Sequence, residues 1–206
     1  MSLLVLHAGS VVMADLLADK LGLSHGALRT SISRLRRVLG SDVLVTASPG
    51  YLLRTKEVDA RKFEELIRTA RATDARAALS LYRSALSLWR GEAYAEFSHE
   101  LWAIAESRRL EELRSGAVEN LAELFLAEHE FADAISYLEP LIAAHPFRDR
   151  PRSLLMRTLA ESGRRVEALR AFQEYRAFLA DEVGTEPSSE FVELEHQIVY
   201  TSGPGR

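Results

Sequence analysis

The sequence predicts a mainly α protein in two parts, a short N-terminal part with one β-hairpin and a longer all-α helical repeat. Three observations predict this. Helical periodicity gives way to two β-prone runs within the first 56 residues, and only helical periodicity is found from Asp59 onward. The pattern of small and bulky residues in the second part recurs with a spacing of about 34 residues. We place the boundary between 1–56 and 57–206.

The N-terminal part contains three predicted helices. The first ends near Ala8, the second spans 13–21, and the third extends from Ser24, a residue type that caps helices, to about Leu39. A glycine follows each of these segments, and glycine commonly ends helices.

The third helix has two contrasting faces. Apolar residues at spacings of 4, 3 and 4 form one stripe, namely Leu28, Ile32, Leu35 and Leu39. The opposite face presents Gly26, Thr30, Ser33, Arg34 and Arg37, and it is flanked by Arg29 and Arg36. This face has small polar groups, arginines and no acid. Such a helix suits the major groove of DNA, where arginine binds guanine bidentately and flanking arginines neutralise phosphates.

A hairpin follows the basic helix. The runs 43–46 and 51–54 are β-prone and surround a turn that contains Pro49 and Gly50. Two helices, a basic helix and a hairpin, in that order, indicate a winged helix-turn-helix with the hairpin as its wing. Arg54 and Lys56 lie at the base of this wing, within reach of a phosphate backbone. Taken singly, each arginine is better explained as a solvated surface charge, so the prediction depends on their joint placement.

The charges of the chain are unevenly distributed. Residues 1–56 carry seven Lys or Arg and three Asp, whereas the remainder carries 19 basic and 27 acidic residues. A basic module joined to an acidic one indicates that a polyanion contacts the N-terminal part. The alternative is chance, because seven charges are a small sample.

The second part predicts helices at about 59–72, 74–88, 99–127, 131–144, 148–161, 165–182 and 188–199. The repeated positions are Ala134, Leu138, Leu141 and Pro146, then Ala168, Phe172 and Tyr175, and, out of phase, Ala78, Tyr82 and Ala85. Small alanines where helices cross and bulky residues one turn later are typical of tetratricopeptide (TPR) repeats. An ordinary helical bundle is the alternative. Stacked repeats of this kind form a concave surface that binds peptides or protein domains.

Enzymatic and metal chemistry find no support in the sequence. Cysteine is absent, the six histidines lack metal-ligand spacing, and there is no glycine-rich phosphate loop or nucleophile elbow. We therefore expect a non-enzyme without cofactor or metal. No apolar run is long enough for a membrane span and no signal peptide is evident, so we expect a cytoplasmic protein. Trp89 and Trp102 are expected to pack where the first repeat meets the long helix, and the loop 89–91 is an alternative contact surface.

Several runs resemble those of one bacterial family. In the first part they are 6–9, 33–40 and 49–53, and in the second they are 58–64, 85–91, 145–148, 163–169 and 184–188. In this order they resemble the Streptomyces antibiotic regulatory protein family, which combines an OmpR-type winged helix with a TPR-like bacterial transcriptional activator domain. The likeness covers nearly the whole chain.

The resemblance implies a transcriptional activator that binds direct repeats near promoters and contacts partners such as RNA polymerase through the wing and the helical domain. It places the recognition helix at 25–39 and the wing at 48–52, and implies two protomers that cooperate on tandem sites of double-stranded DNA. The family usually begins with an N-terminal β-sheet, and this chain opens inside the first helix that follows it. We therefore expect a truncated winged helix without that sheet.

The alternative from a different class is a protein-interaction module of a larger regulator. In that case the repeat domain binds a partner, and the incomplete winged helix does not bind DNA.

Overall fold

The computed structural model describes residues 1–55 and 57–200 and is mainly helical, as predicted. Lys56 and the tail 201–206 lie outside the described residues, so the prediction for Lys56 has no structural counterpart. The N-terminal elements are α1 (Ser2–Leu6), β1 (Val11–Met13), α2 (Ala14–Lys20), α3 (His25–Leu39), β2 (Leu44–Ala47) and β3 (Gly50–Leu53). The helical part contains α4 (Asp59–Ala70), α5 (Ala75–Leu86), a short 3₁₀ turn (Ala95–Phe97), α6 (Leu101–Ala127), α7 (Phe131–Ala144), α8 (Asp149–Glu161), α9 (Arg165–Glu182) and α10 (Ser189–Tyr200).

The small sheet has three antiparallel strands in the order β1-β3-β2. The hairpin of β2 and β3 was predicted, whereas β1 was not. Met13 was predicted as the first residue of a helix, but it ends β1 and pairs with Gly50 of β3. The strand has only three residues, too few for an alternating pattern to be recognised without its partner.

The N-terminal part has its own apolar core. Its buried members are Leu3, Leu4, Ala8, Val12, Leu17, Ala18, Leu28, Ile32, Leu44, Leu53 and Val58. Every helix and strand from α1 to β3 contributes to this cluster. The three helices and the wing therefore pack as one unit, which orients α3 relative to the hairpin.

Helices that are neighbours in sequence pack against each other throughout the second part. All seven predicted helices are present, with ends that differ from the prediction by a few residues. The predicted repeat positions in α5, α7 and α9 are all buried, namely Ala78, Tyr82, Ala85, Ala134, Leu138, Leu141, Ala168, Phe172 and Tyr175. This burial is what the geometry of crossing TPR helices requires.

Side chains of the helical part contact the N-terminal part. Ala60 of α4 packs against both the N-terminal core and the first helical core. Trp102, in the first turn of α6, packs against the N-terminal core and lies edge-on to Tyr94 at a centroid distance of 5.8 Å. The guanidinium of Arg61 donates a hydrogen bond to the carbonyl of Ala8. Trp89 instead packs on Phe63 of α4 at 5.3 Å, so the two tryptophans serve different contacts.

A buried carboxylate anchors α6 to the start of α8. Glu119 is 2% exposed and accepts hydrogen bonds from Arg148 Nε at 2.5 Å and Arg150 Nη1 at 3.3 Å. Arg148 also binds Glu112 at 2.8 Å. The hydrogen bond to Glu119 is the main reason that the pKa of Arg148 is raised above its ordinary value. The two arginines satisfy a charge that would otherwise be costly to bury.

Among the helices of residues 1–55 and 57–200, none combines the length and apolar character required to cross a bilayer.

Candidate nucleic-acid interface

The termini of α3 are fixed by local interactions. Ser24 Oγ accepts a hydrogen bond from the backbone N–H of Ala27 at 3.2 Å, as expected of an N-cap. Gly40 ends the helix at φ +96°, and a Cβ there would lie 2.6 Å from Asp42 Oδ1. The predicted cap and terminator of the helix are therefore both present.

One face of α3 is held against the N-terminal core. Leu28 and Ile32 are buried, and Leu35 and Leu39 are partly buried against the same cluster. Since this stripe points inward, the opposite face must point to solvent.

The outward face of α3 presents free polar side chains. Arg29, Ser33, Arg34 and Arg37 are exposed. Within the described residues these four side chains form no hydrogen bond or ion pair. Thr30 is also exposed, and its hydroxyl donates to the Gly26 carbonyl at 3.1 Å. At the start of the helix, His25 Nε2 lies 3.6 Å from Asp15 Oδ1 of α2.

Arg36 has a different environment from the other arginines of α3. Its Nε donates to the Leu44 carbonyl at 2.7 Å, and its Nη2 donates to Thr46 Oγ1 at 2.6 Å. Its guanidinium carbon lies 5.9 Å from the centre of the Tyr51 ring. The structure thus directs Arg36 toward the wing. Helical spacing placed it on a flank of α3, and no sequence signal indicated Thr46 or Tyr51 as its neighbours.

The wing is built tightly against β1. Gly50 pairs with Ala47 in β2 and with Met13 in β1. A Cβ on Gly50 would lie 1.9 Å from the Val12 carbonyl oxygen, so only glycine fits. Arg54, directly after β3, is exposed, and its backbone N–H donates to the Val43 carbonyl at 2.7 Å.

The arginines of α3 differ from many in the helical part. Arg109 binds Glu64 and Glu106, and Arg148 and Arg150 bind Glu119. Arg29, Arg34 and Arg37 have no such carboxylate partner in the part of the chain that the structure describes. Their positive charge is available to an external anion. With 15 residues, α3 is about 22 Å long, which matches a helix that lies in a DNA groove.

No group of acidic residues and histidines that could hold a metal ion occurs within 1–55 and 57–200. Two grooves of about 450 and 440 Å³ adjoin at Asp59 and Ala60; the first lies within the helical part, and the second lies between the two parts of the chain. Apolar side chains, including Phe63 and Trp89, line much of the first groove. Neither groove brings together a catalytic set of residues.

Comparison with known proteins identifies the family. Residues 58–199 match the model of the bacterial transcriptional activator domain. The chain is 38% identical to the regulatory protein AfsR of Streptomyces griseus over 93% of its own length, but it spans only 20% of AfsR. It is 35% identical to the regulatory protein DnrI of Streptomyces peucetius, covering 96% of this chain and 81% of DnrI.

A solved structure shares the architecture. Mycobacterium tuberculosis EmbR, in complex with a low-affinity phosphopeptide, superposes with a TM-score of 0.80 at 26% identity. The match covers 93% of this chain and 55% of EmbR, so the helical part and the winged helix are both included. On the evidence of its matched domain and its likeness to DnrI, the chain belongs to the Streptomyces antibiotic regulatory protein family of transcriptional regulators.

Proposed function

We propose that this chain activates transcription by binding double-stranded DNA through α3 and the wing. The observation that carries the proposal is the set of exposed arginines on α3 without carboxylate partners. Phosphate contacts supply most of the affinity of such proteins, and side chains in the major groove supply the specificity.

The orientation of α3 suggests a division of roles. Thr30, Ser33, Arg34 and Arg37 face away from the core and are assigned to base edges in the major groove. Arg29 and Arg54 lie to the sides and are assigned to phosphates. Arg36 was also predicted from the sequence to contact DNA, but its guanidinium is directed toward the wing.

The helical part is assigned to protein contacts. RNA polymerase is the expected partner of an activator of this family, and two protomers are expected to cooperate on tandem sites. The proposed DNA-binding domain is therefore residues 1–56, and the proposed protein-binding domain is residues 57–206. A cytoplasmic location, with access to the chromosome, belongs to the same proposal.

The decisive experiment measures DNA affinity as a function of salt. The wild-type chain should bind a mixed-sequence duplex of about two helical turns, with an affinity that falls steeply between about 50 and 200 mM salt. On a duplex that carries a site selected by the wild-type chain from random sequences, Arg37→Gln should weaken binding by roughly 1–3 kcal/mol, because a base contact is lost. Arg157→Gln is the matched control, because Arg157 is an exposed arginine on α8.

Two results would contradict the proposal. One is the absence of detectable binding by the wild-type chain at low salt, which would favour a protein-interaction module. The other is equal loss of affinity in Arg37→Gln and Arg157→Gln, which would mean that general positive charge, and not α3, attracts the DNA.

A further inference from the structure

We propose that Arg36 is a positioning residue that fastens the wing to the recognition helix, so that both elements reach DNA in a fixed relation. This inference rests on the proposed DNA-binding function and changes the role expected for Arg36 from the sequence.

The guanidinium of Arg36 holds β2 at two points. Two of its nitrogens bind two atoms of the same strand, the Leu44 carbonyl at 2.7 Å and Thr46 Oγ1 at 2.6 Å. Hydrogen bonds donated by a charged group are stronger than neutral ones, and a two-point contact also fixes orientation. Arg36 is accordingly only partly exposed, whereas Arg34 and Arg37 beside it are exposed.

The strand that Arg36 contacts, β2, lies at an edge of the sheet. The strand order β1-β3-β2 leaves β2 at an edge, where backbone groups have no strand partner. Arg36 supplies a donor to the Leu44 carbonyl in β2, one of the two edge strands of this sheet in the described residues. The hairpin is thus held by β3 on one side and by a side chain of α3 on the other.

The groups that contact Arg36 are all uncharged. Arg36 is bound by a carbonyl, a hydroxyl and, at 5.9 Å, the ring of Tyr51, none of which is charged. Its positive charge therefore remains at the junction of helix and wing. Removing the whole side chain would alter charge and geometry together, so the test must change the geometry at constant charge.

Two charge-conserving substitutions make this test. Arg36→Lys keeps the charge but loses the planar fork that reaches two acceptors. Thr46→Val removes the hydroxyl while nearly preserving shape, and Thr46→Ser keeps the hydroxyl as the matched control. Affinity for the mixed-sequence duplex is measured over the same salt range for each variant and for the double variant Arg36→Lys/Thr46→Val.

We expect Arg36→Lys and Thr46→Val each to bind roughly ten-fold more weakly, with the salt slope of the wild type and a melting temperature lowered by only about 2–4 °C. Thr46→Ser should bind like the wild type. The double variant should lose little more than either single variant, since both break the same contact. Additive losses would show that Thr46 contacts DNA directly, and wild-type binding by Arg36→Lys would also overturn the proposal.

A second measurement does not depend on DNA. Backbone amides of β2 should exchange hydrogen faster in Arg36→Lys and Thr46→Val than in the wild type, while those of α6 should not change. Unchanged exchange in β2 would refute the fastening role even if the chain proved not to bind DNA. Failure of the wild type to bind DNA, with faster exchange in the variants, would remove the proposed function but keep the contact.

Discussion

Two glycines show how differently the same residue type is used in this chain. Gly50 lies where β1 crosses the wing, and an added Cβ would lie 1.9 Å from the Val12 carbonyl oxygen and 2.8 Å from Met13 Cα. Both neighbours are backbone atoms, which cannot rotate away. Gly116 lies inside α6, where an added Cβ would meet no atom within 4 Å. The first position requires glycine, whereas at the second glycine only weakens the helix.

Gly50→Ala should therefore lower the free energy of unfolding by at least about 2 kcal/mol, because β1 and β3 must separate. Gly116→Ala should raise it by about 0.5–1 kcal/mol, because alanine favours helix interiors. Urea denaturation followed by circular dichroism measures both. Equal effects at the two positions would contradict the close approach of β1 to the wing.

Replacing Glu119 should also lower the free energy of unfolding markedly. Its carboxylate is buried and held by Arg148 and Arg150, whereas the neighbouring Glu123 is about half exposed in its own ion pair with Arg150. Glu119→Ala should lower the free energy of unfolding by about 2–3 kcal/mol, less than a fully buried pair would lose because both arginines can reach water. Glu123→Ala should cost about 1 kcal/mol or less. Thermal unfolding of the two variants side by side tests the difference.

Among the elements, α3 depends most visibly on its cap. Since Ser24 Oγ binds the Ala27 N–H, Ser24→Ala should cost about 1 kcal/mol of stability, whereas Ser24→Asn should be nearly neutral because asparagine also caps helices. Denaturant midpoints measure this. A Ser24→Asn variant as unstable as Ser24→Ala would show that the serine acts through something other than its cap.

The elements also show what the sequence could and could not predict. Amphipathic segments such as α3 were recognised because apolar residues recur over several turns. β1 was missed because its three residues become a strand only through pairing with β3, about 40 positions later. For the candidate site, helical spacing correctly placed Arg34 and Arg37 on the exposed face. It could not show that Arg36 reaches Thr46, because that contact depends on how the wing packs against α3.

At the scale of the whole molecule, α6 connects the two parts. Trp102 in its first turn packs against the N-terminal core, and Leu121 and Phe125 near its other end lie in the first helical core. A single helix of 27 residues therefore takes part in both cores. We expect the two parts to unfold together.

Trp102→Ala should lower the free energy of unfolding by about 2–4 kcal/mol. We also expect the N-terminal part and the helical part to unfold in two separate transitions in this variant. Leu101→Ala is the matched control, because Leu101 is adjacent and 82% exposed, and its change should stay within about 0.5 kcal/mol. Differential scanning calorimetry reports both results. A single transition in Trp102→Ala at the wild-type temperature would contradict the bridging role.

The pairing of β1 with β3 has a consequence for how the chain folds. Val11 pairs with Leu52, which is about 40 residues later in the sequence. By contrast, short turns join α4 to α5, α6 to α7, and α8 to α9. Contacts close in sequence form faster than distant ones, so the helical hairpins and the hairpin of β2 and β3 should assemble first, and the pairing of β1 with β3 last. The N-terminal part leaves the ribosome before the helical part yet would complete its fold late. The pairing that holds the wing against β1 would then form only after the helical hairpins.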